Sequence, residues 1–306
     1  MKNKIIRSTV IKERSPLAAA LLSFFFTGLG QYYNGEAAKG TVLFLLRLTP
    51  LLLVPAQGTA GVGASPVKIF FFMVLASFLA WVAAVPEAAL RAYTGGPAAL
   101  KRYNRPAVYG AFAVISTLAL SVGVAAALMF FGFHRAAGDR MEPGIVKGDV
   151  LLVDRGPRDR RRGEVILHRT PAGPLRMSRV VGLPGDEVSV AGHTFLVNGA
   201  ALPVGVLTPS ELAASGLPNR EDLYFEINSG FRYAVSADGE KVSRKKAASK
   251  AFKVAPGALF VVGDNRKSDD VHETVEIQRV LGAVSGVLYS ASPGRFLAEP
   301  MLPDGK

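Results

Sequence analysis

The chain has 306 residues, 49% of them hydrophobic, a formal net charge of +12, no cysteine and four scattered histidines. Without cysteine there is no disulfide framework, thiolate nucleophile or thiolate metal site. His134, His168, His193 and His272 lack the close spacing of a metal centre, so neither a metal nor another cofactor is expected.

The positive charge is uneven. Before Phe133 stand twelve Lys and Arg against three acidic residues, Glu13, Glu36 and Glu87. Because these basic residues flank apolar runs, they point to anionic lipid headgroups and membrane topology, and no nucleic-acid partner is expected. Residues 1–133 therefore read as a membrane module. Lys2, Lys4, Arg7, Lys12 and Arg14 precede the apolar run 17–29, as in a secretory signal. Gln31-Tyr32-Tyr33-Asn34-Gly35 is no small-residue cleavage site, however, and apolar runs follow at about 40–54, 67–85 and 107–133, so the segment is expected to be retained. Only the last exceeds the roughly 20 apolar residues that a spanning helix needs. The two before it fit a tilted or half-inserted hairpin. The stretch from Gly28 to Gly35, followed by Lys39-Gly40, resembles the glycine-rich turn of small two-helix membrane modules fused to various bacterial proteins. Glycines allow close helix contact and tyrosines suit the headgroup level, and an interfacial turn without a binding role is its expected use.

The loop 91–105 carries Arg91, Lys101, Arg102 and Arg105. Positive charge concentrates on cytoplasmic loops, so this loop is expected inside and the helix at 107–133 leads the chain outward. The following domain is then extracytoplasmic, on the inner (plasma) membrane of a bacterium. An equally basic N-terminus on the same side requires an even number of crossings before Arg91, whereas three apolar runs precede it. Either the short first run is re-entrant or interfacial, or the N-terminus lies outside.

From Gly148 the pattern changes to short β-type runs at 150–153, 164–167, 188–190, 195–197 and 259–262, separated by turn residues such as Asn198-Gly199 and Pro184-Gly185-Asp186. The reading is N-terminal transmembrane α-helices followed by a mostly antiparallel β domain at 134–306. Residues 208–253, with Lys245-Lys246 and Lys250, look like a polar inserted surface excursion.

Five ordered blocks carry a resemblance. They are Met141-Glu142-Pro143, Lys147-Gly148-Asp149-Val150-Leu151-Leu152-Val153, Arg162-Gly163-Glu164-Val165, Arg179-Val180-Val181-Gly182-Leu183-Pro184-Gly185-Asp186 and Gly263-Asp264-Asn265-Arg266. Directly behind an apolar helix and covering roughly 138–290, they resemble bacterial type I signal peptidase. In that family a serine immediately precedes the methionine and a lysine immediately precedes the first arginine of the fourth block; here those positions hold Arg140 and Ser178. The family chemistry needs a hydroxyl nucleophile and a neutral lysine to accept its proton. A guanidinium does neither, and Ser178 has no basic nitrogen. The position that often lends the oxyanion hole a hydroxyl is Gly138. Gly263-Asp264-Asn265 with Ser268 and Asp270 resembles the block that braces the family site, one residue shorter and with His272 where an arginine is usual. Arg140 either pairs with Asp264 or Asp270 and plugs the vacant cleft, or points into solvent. His168, Ser178 and Ser268 are the residues from which a relocated serine and histidine pair would be built, although spacing selects none of them.

The resemblance thus implies a membrane-anchored, signal peptidase I-like pseudoenzyme that binds preprotein or other extended polypeptide segments at the outer membrane face. The alternative is an active serine endopeptidase with a relocated nucleophile and base. A third reading is a purely structural domain supporting the helices.

Overall fold

The structure, a computed structural model, describes residues 11–52, 66–96, 98–157, 159–191, 194–237, 251–267 and 272–290, together with Arg295. The chain divides into two units, Met1–Ala60 with Lys68–Met129, and Gly61–Val67 with Phe130–Lys306.

The first unit is helical. A short strand β1 (Ile11–Lys12) pairs with β2 (Ala98–Ala99), and between and beyond them run α1 (Pro16–Phe25), α2 (Leu29–Tyr33), α3 (Ala37–Leu52), α4 (Pro66–Thr94) and α5 (Pro106–Phe130). Helix α1 begins where the Ser15 hydroxyl accepts the Ala18 amide at 3.3 Å, with Pro16 at the first helical position. It ends before Gly28, whose φ of +96° turns the chain. A Cβ at Gly28 would overlap the Gly40 carbonyl oxygen, and one at Gly30 the Ala19 carbonyl oxygen, so these residues let three segments touch. The apolar run 17–29 is therefore a broken pair of helices, and the ten residues of α1 rise only about 15 Å. The third run is longer than its hydropathy suggests, since α4 continues to Thr94. Phe71–Thr94 (24 residues, mean hydropathy 1.8) and Pro106–Phe130 (25 residues, mean hydropathy 2.2) are the two described helices long and apolar enough to cross a membrane. Their large apolar side chains face outward, Phe72, Leu79, Leu118, Val122 and Leu128 each being more than half exposed.

The second unit is a β domain. Its first strand, β3 (Phe131–Arg135), takes the last three residues of the fourth apolar run out of the helix. It is followed by β4 (Val150–Asp154), β5 (Val165–Arg169), β6 (Leu175–Gly182), β7 (Glu187–Ala191), β8 (Thr194–Val197), β9 (Ala200–Ala201) and β10 (Val204–Val206). Then come the helix α6 (Pro209–Ala214) and the strands β11 (Leu223–Asn228), β12 (Phe231–Ser236), β13 (Phe252–Lys253), β14 (Ala258–Val262), β15 (His272–Glu276) and β16 (Val280–Tyr289). A seven-stranded sheet has the order β15-β14-β6-β5-β16-β4-β3, all neighbours antiparallel; beside it lie the sheets β13-β7-β8-β9 and β10-β11-β12. Side chains alternate between faces along a strand. Accordingly Val165 and Leu167 join Leu151, Val153 and Met177 in one cluster, while Ile166 joins Val180, Leu259, Val261 and Val275 in another. With both faces covered, the central strands read as continuous apolar runs. The stretch read as a surface excursion is folded through Ser236. Leu207, Leu212, Leu223 and Ala234 make a core of their own, and Tyr233 is fully buried.

That hairpin anchors a buried ionic network. Arg179 and Arg266 are 0% and 1% exposed. Arg179 donates to both Asp264 carboxylate oxygens at 2.8 and 2.5 Å and to the Gly163 carbonyl at 2.7 Å, and its guanidinium lies 3.8 Å over the Tyr233 ring. Arg266 donates to the Gly263 carbonyl at 2.7 Å and to Glu226 at 3.0 Å, and the same Glu226 oxygen accepts the Tyr233 hydroxyl at 2.5 Å. Burial, with the Glu226 carboxylate beside it, pushes the Tyr233 phenol well above its ordinary pKa, so it remains a donor. Removing one partner of a buried pair strands the other's charge. Glu226→Leu should therefore destabilise the β domain by about 3–5 kcal/mol, and Glu226→Leu with Arg266→Met by clearly less. Urea unfolding of the detergent-solubilised chain, followed by β-sheet circular dichroism, measures both; equal losses would show that the charges are not coupled.

Candidate functional site

Strand register brings the site together. Ile166 lies opposite Ser178 and His168 opposite Arg176 on the β5–β6 pair, while Val261 lies opposite both Val180 and Glu273. Residues directly opposite share a face, and so do residues two apart. His168, Arg176, Ser178 and Glu273 therefore all emerge on the side of the sheet that carries Ile166, Val180 and Val275. Arg140 reaches the same place from the loop after β3. Its carbonyl accepts the Asn265 amide at 2.9 Å, and Asn265 Nδ2 donates to the Asp139 carbonyl at 3.4 Å. Gly263 leaves room for it, since a Cβ there would press on Arg140 Cγ and carbonyl oxygen at 2.9 Å.

The cluster is tight. Arg140 Nε lies 3.4 Å from Ser178 Oγ, and Arg140 Nη2 lies 3.2 Å from Glu273 Oε1. Arg176 Nη1 approaches the same carboxylate at 3.4 and 3.5 Å. His168 Nε2 is 3.1 Å from Ser178 Oγ and 3.6 Å from Glu273 Oε1, and Ser178 Oγ is 3.4 Å from Glu273 Oε1. His168 and Ser178 are wholly buried. Burial holds the His168 imidazole below its ordinary pKa; Arg140 and Arg176 push the same way, and Glu273 opposes them. A neutral imidazole protonated on Nε2 donates to Ser178 Oγ, as Arg140 Nε does, and the serine hydroxyl donates on to Glu273. Both lone pairs and the proton of Ser178 are then engaged, which is the full capacity of a hydroxyl.

A relocated catalytic serine would need its histidine oriented by a carboxylate on the far ring nitrogen. Here Glu273 stands on the same side as the hydroxyl, and among the described residues His168 Nδ1 makes no hydrogen bond. A cleft of about 350 Å³ opens beside the cluster, lined by His134, Gly138, Arg140, Leu175, Arg176 and Met177 but not by Ser178. Arg140 thus forms the cleft wall that covers the serine. Leu175 and Met177 add apolar side chains to the cleft's lining.

The remaining block residues brace this frame. Met141 and Pro143 are buried in the loop, and Asp149, after the positive-φ Gly148, accepts the Val146 amide at 2.9 Å and the Ser290 hydroxyl at 2.5 Å. Asp186 accepts both prongs of Arg162 at 2.9 and 2.6 Å, the Leu183 amide at 2.7 Å and Asn198 Nδ2 at 3.0 Å. Burial alone would raise its carboxyl; these donors hold it below the ordinary value. Pro184-Gly185 makes the preceding turn with Gly185 at φ +91°, and a Cβ at Gly182 would meet Val188 at 2.7 Å.

The family model described as "Signal peptidase, peptidase S26" matches residues 109–289. The chain belongs to the signal peptidase S26 family. It is 28% identical over 192 residues to signal peptidase I of Bacillus caldolyticus, covering 60% of this chain and 89% of that protein. A crystal structure of a signal peptidase I from Enterococcus faecalis is similar over 42% of this chain and 98% of its own, with 22% identity and a TM-score of 0.24.

Arg140 and Ser178, the residues at which the sequence resemblance leads one to expect the family's serine and lysine, are in contact. The sequence left Arg140 either in solvent or paired with Asp264 or Asp270. Its side chain is only 15% exposed and pairs with Glu273, because Asp264 already receives both prongs of Arg179. Asp270, Ser268 and His193 lie outside the described residues. Glu273 and Arg176 were not singled out from the sequence, although alternation with the apolar Val275 was the available signal for Glu273. His272 is directed elsewhere and stacks on Phe260 at 5.6 Å.

A histidine held neutral by burial gives a signed pH effect. Above the ordinary imidazole pKa of about 6.5 neither folded nor unfolded chain is protonated there; as pH falls below it the unfolded chain takes up a proton that folded His168 resists, so stability drops. His168→Gln should flatten the fall in melting temperature between about pH 7 and pH 5. Melting curves of the two proteins at matched pH check this, and parallel curves would refute it.

Proposed function

We propose that this member of the signal peptidase family is anchored in the bacterial plasma membrane with its β domain outside, no longer cleaves peptide bonds, and uses the inherited cleft to bind an extended polypeptide such as a preprotein segment. The observation that carries this reading is the Arg140 guanidinium, in contact with both Ser178 and Glu273, at the position where the sequence resemblance expects a nucleophile. Guanidinium keeps its proton at any pH the protein survives, so it serves as neither nucleophile nor base. Strand addition along a sheet edge needs only backbone hydrogen bonds and side-chain pockets, and the cleft lined by Leu175 and Met177 offers an apolar one. The 3.1 Å contact of His168 Nε2 with Ser178 Oγ favours a second reading, a relocated peptidase. It is the weaker, since the serine is buried and Arg140, not Ser178, lines the cleft.

Rebuilding the family dyad separates these readings. Gly138 has open space around its Cβ position, so Gly138→Ser fits. Arg140→Ser with Ser178→Lys restores hydroxyl and amine, but Glu273 would face the new lysine and keep it charged. The triple variant should therefore be nearly inert at neutral pH. Adding Glu273→Leu should give weak preprotein cleavage that rises through the mildly alkaline range as the amine loses its proton. The unaltered chain should retain a preprotein peptide uncut. Robust cleavage by the unaltered chain, abolished in Ser178→Ala, would establish the relocated peptidase instead.

Orientation is tested in a chain that has no cysteine of its own. Cysteines at the exposed positions Gly95 and Ser210 should differ toward a membrane-impermeant thiol reagent applied to intact cells, Ser210 reacting and Gly95 protected. The reverse pattern would invert the topology.

A further inference from the structure

Helix α3 carries an arginine far from any charged belt. Lys39, on the same helix, pairs with Glu87 at 2.5 Å and with Glu36 at 3.2 Å, and Arg91 pairs with Glu36 at 2.8 Å. Arg47 lies two turns further along, about 12 Å deeper at 1.5 Å per residue. A second count on α4 agrees. Ser77 accepts from Arg47 Nη1 at 3.2 Å and donates to the Arg47 carbonyl at 3.0 Å. In sequence it stands almost midway between Lys68 and Glu87, which are separated along the helix by about 28 Å, close to the thickness of a bilayer's hydrocarbon core.

Arg47 therefore sits near the middle of the apolar slab if these helices are membrane-embedded, as in the function proposed above. A cation at that depth is costly and marks a functional site by default. Its guanidinium has five donors, and among the described residues one is used. It lines a cavity of about 150 Å³ together with Ser116, Thr117 and Ser121 of α5, against the rings of Phe44 and Trp81. The Ser116 hydroxyl oxygen is buried and, among the described residues, has no hydrogen-bond partner. The cavity thus has an apolar wall, a fork of cationic donors and a hydroxyl with nothing to bind.

We propose that this cavity holds the anionic head group, a carboxylate or a phosphate monoester, of an amphiphile with a single acyl chain. The fork of a guanidinium matches the paired oxygens of such a group, and Ser116 supplies one more hydrogen bond. The volume is that of a benzene-sized group, too small for a partner helix of 10–12 Å diameter. Phe44 and Trp81 in the lining suit one linear acyl chain attached to the head group. Phospholipids with two chains keep their phosphates at the headgroup level, where the Glu36, Lys39, Glu87 and Arg91 belt lies.

The test uses the full chain in nanodiscs of zwitterionic lipid and a photoreactive palmitate probe, with labelled peptides mapped by mass spectrometry. Labelling of the α5 segment around Ser116–Ser121 should saturate and fall about tenfold in Arg47→Gln, while Arg47→Lys should keep much of it. Ser116→Leu, which fills the cavity from the opposite wall, should reduce it as well and stands in if Arg47→Gln does not fold, as judged by its melting temperature. Competition by palmitate identifies a carboxylate head and competition by lysophosphatidate a phosphate head. Hexadecanol should not compete. Hexadecanol competing equally with both acids, or labelling unchanged by Arg47→Gln and Ser116→Leu, would overturn the proposal. Alkaline extraction of native membranes is read in parallel: release of the chain would refute the embedded-helix reading by itself, whatever the probe shows.

Discussion

The pairing of Arg179 with Asp264, two parallel hydrogen bonds between groups sealed from water, is the contact on which the cleft depends. It ties the end of β14 to β6. With Arg266 and Glu226 it also ties both to the β11–β12 hairpin. Such charges tolerate burial because each meets an opposite charge and several hydrogen-bond partners, and the geometry that satisfies all of them leaves the Gly263–Arg266 backbone little freedom. From that backbone the Asn265 amide reaches the Arg140 carbonyl, and the absence of a side chain at Gly263 admits the arginine. The backbone of Arg140 is positioned from there.

What Arg140 touches is a compact polar cluster of Ser178 and Glu273 with His168 beside them. A serine activated for attack keeps a lone pair directed at substrate and gives its proton to a base. Ser178 instead receives a donor from Arg140 and lies within hydrogen-bond distance of His168 and Glu273. The carboxylate that would make a lysine useless as a base, by keeping it charged, is the one that makes an arginine stable there. Arg140, Ser178 and Glu273 form one electrostatic arrangement, with His168 held neutral by burial so that a third cation is not added.

In the helical unit the glycine–tyrosine stretch serves packing. Gln31 is buried and bridges Ser23 at 3.0 Å, the Ala84 carbonyl at 2.8 Å and Glu87 at 2.7 Å, while Asn34 reaches the Ala88 carbonyl at 2.8 Å. Lys101 and Tyr103 both donate to the Gly35 carbonyl, at 2.6 and 2.5 Å. Small residues let the backbones approach, and polar side chains then satisfy one another where water is scarce. Arg47 and Ser116 stand apart from this network.

Much of the architecture was legible in the residues alone. The change from long apolar runs to short ones bounded by turn residues marks the passage from helices to an antiparallel sheet, and five ordered blocks identify the family, because turn glycines, prolines and buried apolar runs act locally. Block order singled out Arg140 and Ser178 without coordinates, and the structure brings these two side chains into contact. Hydropathy alone did not show that the first apolar run breaks at Gly28, that α4 continues past Pro86, or that Phe131 begins a strand, because packing and backbone conformation override composition at those points. The partners of Arg140 were decided only by the tertiary structure. Glu273 lies 133 residues further along the chain and reaches Arg140 through the pairing of β15 with β14 and of β14 with β6. Asp264, nearer at hand in the family blocks, was unavailable because a second arginine had already closed its fork on it.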